Sequence, residues 1–300
     1  MSRRRPDREI APATAVESPY RVPFNGRFVL ARAPSAPPAK GPDKSENQQR
    51  LKTLVAAIAE LQHILYAHDN HSLLLVFQAM DAAGKDSTIR AVLSGVDPSG
   101  CQVHAFKRPS ELELDHDFLW RTAQQLPRRG HIGVFNRSHY EEVLAVRVHP
   151  THLAAQKLPY QTPLDTLWAQ RYESIRDWEK HLARNGTVIL KFWLNVSYEE
   201  QRQRFLARLD EPEKHWKFES GDVRERAHWK AYMQAYETAL NQTSRPWAPW
   251  YAIPADSKSF LRATVADIVH RTLQGMDLRY PVLDPAERAR FAEMRAQLKA

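Results

Sequence analysis

A continuous apolar run that leads through a glycine-containing loop into a helix constrains this chain more than any other feature. The run Leu73–Phe77 has the unbroken hydrophobicity of a strand that is buried on both faces. The loop that follows ends in Gly84-Lys85, and a helix is predicted over 87–94. A strand, a loop ending in Gly-Lys and a helix form the context of a phosphate-binding loop.

The alternation of strands and helices continues along the chain. Further strands are predicted over 102–106, 132–135, 187–194 and 250–253. Helices are predicted over 45–65, 117–125, 166–184, 198–209, 222–240 and 257–273, with Ser45 and Ser197 as N-caps. Strands separated by helices indicate a parallel sheet covered on both faces. We therefore predict a three-layer α/β fold built around a P-loop, with a parallel sheet and a helical lid.

The chain divides into a central domain with two flanking segments. Residues 1–44 hold eight prolines and little periodicity, which predicts an extended Pro/Arg-rich arm. Residues 45–275 form the predicted P-loop domain, with a lid at about 205–225. Residues 276–300 are expected to form a helical tail.

Charge and cysteine content narrow the class of protein. The net charge is +8, from 43 Lys and Arg against 35 Asp and Glu, which favours a polyanionic partner. Cys101 is the only cysteine, so an internal disulfide is excluded and a reducing, cytoplasmic location is expected. No apolar run reaches the ~18 residues that a membrane span needs. We accordingly expect no membrane partner.

The loop itself predicts how a phosphate chain is bound. Backbone N–H groups and the helix N-terminus can cradle phosphate oxygens, and we assign this role to Ala82, Ala83, Gly84, Lys85, Asp86 and Ser87. The Lys85 ammonium would neutralise phosphate charge, and its side chain is expected to pack against little. Asp86 stands where a P-loop normally has Ser or Thr as a Mg²⁺ ligand. Asp81 could supply that ligand instead, directly or through water, or it could merely cap the next turn.

Several blocks together resemble one known family. Residues 78–88 resemble the modified Walker A motif of the polyphosphate kinase type-2 family, and residues 132–140 resemble its Walker B strand and the following turn. Residues 200–222 resemble its lid block, and residues 248–258 a later block. The resemblance covers about residues 50–270. It implies a thymidylate-kinase-like fold, inorganic polyphosphate as donor, ADP and ATP as products, and Mg²⁺, with Mn²⁺ as a substitute.

The turn after the third predicted strand carries residues that we expect to bind the acceptor nucleotide. We assign Asn136 and Arg137 to the acceptor phosphate, with Glu141 nearby in the nucleotide site. Many family members that use nucleoside diphosphates have Asp where this chain has Asn136. Asn there, followed by His-Tyr and two glutamates, resembles the branch that accepts both AMP and ADP. One negative charge fewer beside the acceptor phosphate is a physical reason for that tolerance.

Basic residues at strand ends and in the lid block predict a channel for the phosphate chain. We assign Lys107, Arg108, Arg204, Arg208, Lys214 and Lys217 to it, with Arg204 and Arg208 also acting on the transferring group. Each has an alternative interpretation. Lys107 and Arg108 could form a solvated loop tip, and Arg204 and Arg208, four residues apart, could form a surface ladder.

Two other functions remain open at this point. An ordinary nucleoside monophosphate kinase would share the fold and the chemistry but would use ATP as donor. A non-catalytic polyanion or nucleic-acid binder would use only the net charge. The basic residues follow strand ends, and the chain lacks the aromatic and basic motif of an RNA-binding module, so we expect no nucleic-acid partner. We expect a homo-oligomer.

Overall fold

A five-stranded parallel sheet forms the centre of the protein. The structure, a computed structural model, describes residues 15–217 and 220–299. The strands lie in the order β2-β3-β1-β4-β5 and all pairs are parallel. They are β1 (Ser72–Gln78), β2 (Cys101–Ala105), β3 (Ile132–Asn136), β4 (Thr187–Asn195) and β5 (Trp250–Pro254). The predicted parallel sheet is confirmed, and each predicted strand lies within one residue of its expected bounds.

Helices cover both faces of this sheet. They are α1 (Lys44–His68), α2 (Lys85–Val92), α3 (Glu111–Leu114), α4 (Trp120–Ala123), α5 (Ala145–Val148), α6 (Leu164–Arg184), α7 (Tyr198–Asp210), α8 (Ser220–Arg226), α9 (Trp229–Thr243), α10 (Lys258–Gln274), α11 (Pro285–Ala289) and α12 (Phe291–Gln297). Helix α10 packs against α1, α2, β4 and β5, whereas α6 contacts β4 and α9. The result is the predicted three-layer α/β arrangement.

The strand order decides which loops meet. β1 is buried along its whole length between β3 and β4, where Leu75 pairs with Val134 and Leu190. The rings of Phe77 and Phe192 stack with their centroids 5.0 Å apart. Parallel strands end at the same edge of a sheet, so the loop after β1 lies beside the turn after β3.

Two of the predicted helix starts can be checked against their caps. Helix α1 begins at Lys44, because the Asp43 side chain accepts from the Glu46 N–H and the Glu46 side chain accepts from the Asp43 N–H. Ser45 as N-cap is therefore wrong, because the helix is capped two residues earlier, by the capping box of Asp43 and Glu46. Ser197 as N-cap is confirmed, since its hydroxyl accepts from the Glu200 N–H at 3.1 Å.

The predicted helices around the lid are corrected. The single helix expected over 222–240 is interrupted at Ala227 and His228, which separate α8 from α9. Before α8, the backbone forms a 3₁₀-helix over Pro212–Lys217. Residues 218 and 219, and the side chains of Lys214 and Lys217, lie outside the described part of the chain. The helix expected over 117–125 is reduced to the four residues of α4.

The described part of the N-terminal arm is docked on the sheet. Val22 donates its N–H to Trp250 O at 2.9 Å, and Ala252 donates to Tyr20 O at 2.8 Å. Val22 is fully buried. The arm thus covers the outer edge of β5 with hydrogen bonds that an edge strand otherwise leaves open. Residues 1–14 of the predicted arm lie outside the described residues.

The C-terminal segment carries the short helices α11 and α12, whose residues are exposed. Among the described residues, no helix combines the length and the apolar character that crossing a membrane requires.

Candidate active site

The loop between β1 and α2 has the backbone shape of an anion cradle. Ala82 and Gly84 have φ angles of +60° and +106°, and Gly84 is the N-cap of α2. Left-handed residues within a turn direct amide N–H groups toward one side, which is the geometry of an anion nest. Positive φ is strained for alanine but not for glycine. The predicted cradle residues from Ala82 to Ser87 therefore lie together, with the Ser87 hydroxyl donating to Gly84 O at 3.1 Å.

The Lys85 side chain is held beneath the loop. Its Nζ donates to Ala79 O at 2.8 Å and to Met80 O at 3.4 Å. Burial lowers the pKa of Lys85, and the nearby Arg137 guanidinium lowers it further. The expectation that this side chain packs against little is wrong. The two carbonyls that begin the loop accept hydrogen bonds from its ammonium group.

Asp81, Arg137 and Glu141 form a charged cluster beside Lys85. Arg137 directly follows β3, and its Nη2 donates to Asp81 Oδ1 at 2.7 Å. The pKa of Arg137 is raised above its usual range, first by Glu141 and also by Asp81, against the effect of burial. Burial raises the pKa of Glu141, while Arg137 and Lys85 act in the opposite direction.

The backbone at Arg137 fixes this cluster in place. Arg137 has a φ of +61°, and its N–H donates to Phe77 O at 3.1 Å. A non-glycine residue in the left-handed region is held there by its surroundings and occurs preferentially at functional sites. The Gln78 amide, oriented to satisfy both of its ends, donates to Glu141 Oε1 at 2.9 Å and accepts from the Ser138 N–H at 3.1 Å.

Asn136 and Asp86 join the two halves of the site. The Asn136 Nδ2 donates to Asp86 Oδ1, so the end of β3 is bonded to the first turn of α2. Six predicted residues therefore meet at the ends of β1 and β3, namely Asp81, Lys85, Asp86, Asn136, Arg137 and Glu141.

Arg204 does not line a channel, and this predicted role is corrected. Its side chain is buried, and Nη1 donates to Ala82 O at 3.1 Å and to Ala83 O at 2.8 Å. The other nitrogens donate to carbonyl oxygens after β5 and to Glu200. The guanidinium lies behind the loop, on the side of its carbonyls.

The remaining predicted channel residues are Arg208, Lys107, Arg108, Lys214 and Lys217. Arg208 donates from Nη1 to Asp222 Oδ2 at 3.2 Å, which joins α7 to α8. Lys107 and Arg108 follow β2 and are exposed, with no ion pair to the residues in the described ranges. The backbone of Lys214 and Lys217 lies in the 3₁₀-helix before α8, and their side chains are not described.

The donor atoms present fit a hard divalent cation. The structure gives Asp81 a hydrogen bond from Arg137 at Oδ1, while its other carboxylate oxygen accepts from no described residue. Within 15–217 and 220–299, no group of three or more His, Cys, Asp or Glu side chains is arranged to hold a metal. The second carboxylate oxygen of Asp81 suits Mg²⁺, which takes one or two carboxylates and fills its shell with phosphate oxygens and water.

A cavity of about 310 Å³ lies next to the turn after β3. Arg171 lines it, donates to Glu142 Oε2 at 3.0 Å and lies over the Phe118 ring. Glu142, which also lines the cavity, follows Glu141 in the sequence. Sequence reasoning missed this cavity because its walls come from segments far apart in the chain.

A buried polar network behind the turn was also missed. Lys191 Nζ donates to Glu179 Oε2 at 2.6 Å, to Tyr140 O–H at 2.8 Å and to Thr243 O at 2.9 Å. Both charged side chains are fully buried. One sequence signal could have indicated the network, because Lys191 interrupts the otherwise apolar run of β4.

Comparison with known proteins gives a consistent result. The sequence profile of the family described as "Polyphosphate kinase 2 (PPK2)" matches residues 41–281. The chain is 49% identical over 280 residues to an "ADP-polyphosphate phosphotransferase" of Rhodopseudomonas palustris, covering 93% of this chain and 97% of the relative. It is 46% identical over 263 residues to an "AMP/ADP-polyphosphate phosphotransferase" of Meiothermus ruber, covering 87% and 94%.

Solved structures agree with these relatives. The crystal structure of Polyphosphate Kinase 2 from Arthrobacter aurescens TC1 superposes with a TM-score of 0.83 at 40% sequence identity. The match covers 93% of this chain and 98% of that chain. The fold and the order of the elements described above are therefore those of that structure.

Proposed function

Because the chain belongs to the polyphosphate kinase 2 family, we propose that it transfers phosphoryl groups reversibly from inorganic polyphosphate to AMP and ADP, giving ADP and ATP. The observation that carries the proposal is the charged cluster at the ends of β1 and β3. It places the ammonium of Lys85 and the guanidinium of Arg137 beside an amide cradle. Phosphoryl transfer needs little besides such positioning and charge stabilisation.

The residues at the ends of β1 and β3 receive separate roles in this proposal. The amides from Ala82 to Ser87 and the Lys85 ammonium bind the donor end of the phosphate chain. Arg137 binds the acceptor phosphate, and Asn136 lies next to it without adding a negative charge. We place the acceptor's nucleoside in the cavity of about 310 Å³ that Glu142 and Arg171 line. In-line transfer then follows from holding the two phosphates at close range.

We propose that Asp81 holds Mg²⁺, with Mn²⁺ as a substitute. When bound, the cation neutralises part of the charge on the phosphates. Asp81→Asn keeps the shape and the hydrogen bond from Arg137 but removes the carboxylate charge. Activity should collapse in this variant and should not return when Mg²⁺ is raised. Asp81 is a structural residue if the variant responds to Mg²⁺ as the wild type does.

The acceptor range is the finer part of the proposal. The Rhodopseudomonas relative is named for ADP, and the Meiothermus relative for both AMP and ADP. Asn136 supports acceptance of both, because AMP and ADP bring different charges to the same site.

One assay tests the proposed function. The purified protein is incubated with long-chain polyphosphate, Mg²⁺ and either AMP or ADP, and the products are separated by chromatography. We expect ADP and ATP to form. Parallel reactions with ATP as donor and AMP as acceptor test the nucleoside monophosphate kinase alternative. ATP outperforming polyphosphate would favour that alternative, and binding of polyphosphate without turnover would favour the binding protein.

The remaining features of the proposal concern the whole chain. We propose a cytoplasmic homo-oligomer without a nucleic-acid partner, in which residues 45–275 form the catalytic domain, with its lid at about 205–225. The arm and the tail, residues 1–44 and 276–300, flank it. Size-exclusion chromatography with light scattering tests the oligomeric state.

A further inference from the structure

We infer that Gln201 and Arg204 are positioning residues that hold three consecutive carbonyls of the phosphate loop and thereby direct its amides toward the phosphoryl group. The inference deepens the proposed function and rests on it for the identity of the ligand. The two side chains lie one turn apart on α7, so they face the same neighbour. We call them the carbonyl clamp.

The clamp contacts three successive peptide units. Gln201 Nε2 donates to Asp81 O at 2.9 Å. Arg204 Nη1 donates to the next two carbonyls, Ala82 O and Ala83 O, at 3.1 and 2.8 Å. Gln201 is 1% exposed and Arg204 is 8% exposed, so solvent does not compete for these bonds.

Because of the geometry of the peptide bond, holding the loop carbonyls also orients the loop N–H groups. In a trans peptide the C=O and the N–H point in opposite directions. Carbonyls turned toward α7 therefore turn the N–H groups of Ala82 and Gly84 away from it, to the open side of the loop. The Ala83 N–H is directed to Met80 O at 3.3 Å. The clamp also opposes relaxation of Ala82, whose φ of +60° is strained for an alanine.

Arg204 has no donor left for a phosphate. A guanidinium carries five N–H groups. Two bond the loop carbonyls, Nε donates to Glu200 Oε1 at 2.8 Å, and Nη2 donates to Ala255 O at 2.6 Å and Asp256 O at 3.2 Å. All five are therefore used, and Arg204 anchors the loop to the segment after β5.

Gln201 links the same loop to α8. Its Oε1 accepts from Arg226 Nη1 at 2.9 Å, at the C-terminal end of α8. Arg226 also donates to Tyr198 O at 2.7 Å and lies 3.4 Å from the centre of the Tyr198 ring. A displacement of α8 therefore acts on the Gln201 amide, which holds the carbonyl of Asp81.

Kinetics of three variants test the clamp. Arg204→Lys keeps the charge but cannot reach all the carbonyls, and Gln201→Met keeps the volume but removes the donor. Arg202→Ala is the matched control, because Arg202 lies on the same helix but is exposed and pairs only with Glu199 among the described residues. We expect kcat with polyphosphate to fall about tenfold to a hundredfold in the two clamp variants, with the nucleotide KM unchanged. The control should match the wild type.

Salt dependence separates the clamp from a direct phosphate contact. A residue that binds the phosphate chain contributes to the slope of log KM for polyphosphate against log salt concentration. Arg204→Lys and Gln201→Met should leave that slope at its wild-type value. A flatter slope in Arg204→Ala would overturn the clamp and restore Arg204 to the phosphate channel.

A spectroscopic readout tests the clamp without turnover. In protein labelled with ¹⁵N-glycine, the Gly84 amide resonance should shift on addition of inorganic triphosphate. The shift should be retained in Arg202→Ala and reduced in Gln201→Met and Arg204→Lys. An unchanged Gly84 shift in folded clamp variants overturns the inference. If the wild type turns over no polyphosphate, the proposed function fails. The Gly84 shifts of the wild type and the variants still test the clamp in that case. Should Arg204→Lys not fold, Gln201→Met carries the test.

Discussion

At the scale of single residues, the charged side chains of the site are bonded to groups of the phosphate loop. Lys85 donates to the carbonyls of Ala79 and Met80, and Arg137 pairs with Asp81. Buried donors without partners would destabilise the fold, and these bonds prevent that loss.

Lys85→Ala should lower the rate strongly and the stability slightly. Loss of the charge that stabilises the transferring group should cost on the order of 3 kcal/mol in the barrier, a hundredfold or more in rate. Loss of its hydrogen bonds to two carbonyls should lower the free energy of unfolding by about 1 kcal/mol. Steady-state kinetics and urea unfolding measure the two effects. Full activity in this variant would refute the assignment of the site.

Asn136→Asp should lower activity with AMP more than activity with ADP. The new carboxylate acts on a charge a few ångströms away by roughly 1 to 4 kcal/mol, depending on the effective dielectric constant. AMP must place its only phosphate where ADP places its terminal one, so it has less freedom to move away. The measurement is kcat/KM for each acceptor at fixed polyphosphate and Mg²⁺.

The hydrogen bond between Asn136 and Asp86 provides a control for this variant. In Asn136→Asp alone, two carboxylates face each other, which would disturb both acceptors equally. The exchange variant Asn136→Asp with Asp86→Asn restores a donor and an acceptor. Its AMP to ADP ratio should stay low. A ratio that returns to the wild-type value would mean that acceptor choice depends on the pair and not on charge at position 136.

At the scale of elements, α7 combines two functions along its length. Its first turns face inward through Gln201 and Arg204, whereas its last turn carries Arg208 toward α8. Residues four apart share a helix face, but Arg204 is drawn into the protein by carbonyl oxygens and Arg208 is not. The sequence pattern that predicted one basic surface therefore contains two environments.

Arg208→Ala should weaken the salt dependence of polyphosphate binding. A phosphate chain releases counterions where Lys and Arg bind it, so each lost contact should flatten the slope of log affinity against log salt by about 0.7. The affinity for AMP should depend on salt less steeply than the affinity for polyphosphate. KM values measured at several salt concentrations give both slopes. An unchanged slope in Arg208→Ala would place Arg208 outside the polyphosphate site.

At the scale of the whole molecule, one buried ion pair joins distant parts of the chain. Lys191 in β4 bonds Glu179 in α6, Tyr140 in the turn after β3 and the carbonyl of Thr243 at the end of α9. Tyr140 follows Arg137 by three residues, so this network holds the turn after β3 in place.

Lys191→Met should destabilise the fold by about 3 to 5 kcal/mol, because Glu179 would remain buried without a counter-charge. The double variant Lys191→Met with Glu179→Leu removes both charges and should recover part of this loss. Urea unfolding of the wild type, the two single variants and the double variant gives the interaction energy of the pair in a double-mutant cycle. Equal losses in the single and double variants would show that the pair contributes through packing and not through charge.

The sequence by itself determined the sheet, its parallel pairing and the location of the phosphate loop. Apolar runs such as Leu73–Phe77 can be satisfied only by burial on both faces, and this constraint is local. The residues that meet at the ends of β1 and β3 could be named in advance because they lie at the end of β3, in the turn after it, or in the loop that leads from β1 into α2. The carboxyl ends of neighbouring parallel strands must meet at one edge.

Only the tertiary structure decided where the long polar side chains point. Arg204 and Arg208 are alike in the sequence, yet one bonds four carbonyls and a carboxylate from three segments, and the other pairs with Asp222. The role of Lys191 could not be predicted from β4 alone, because its hydrogen-bond partners lie in other elements. The direction of a flexible charged side chain depends on which acceptors surround it, and those acceptors are assembled only when the chain has folded.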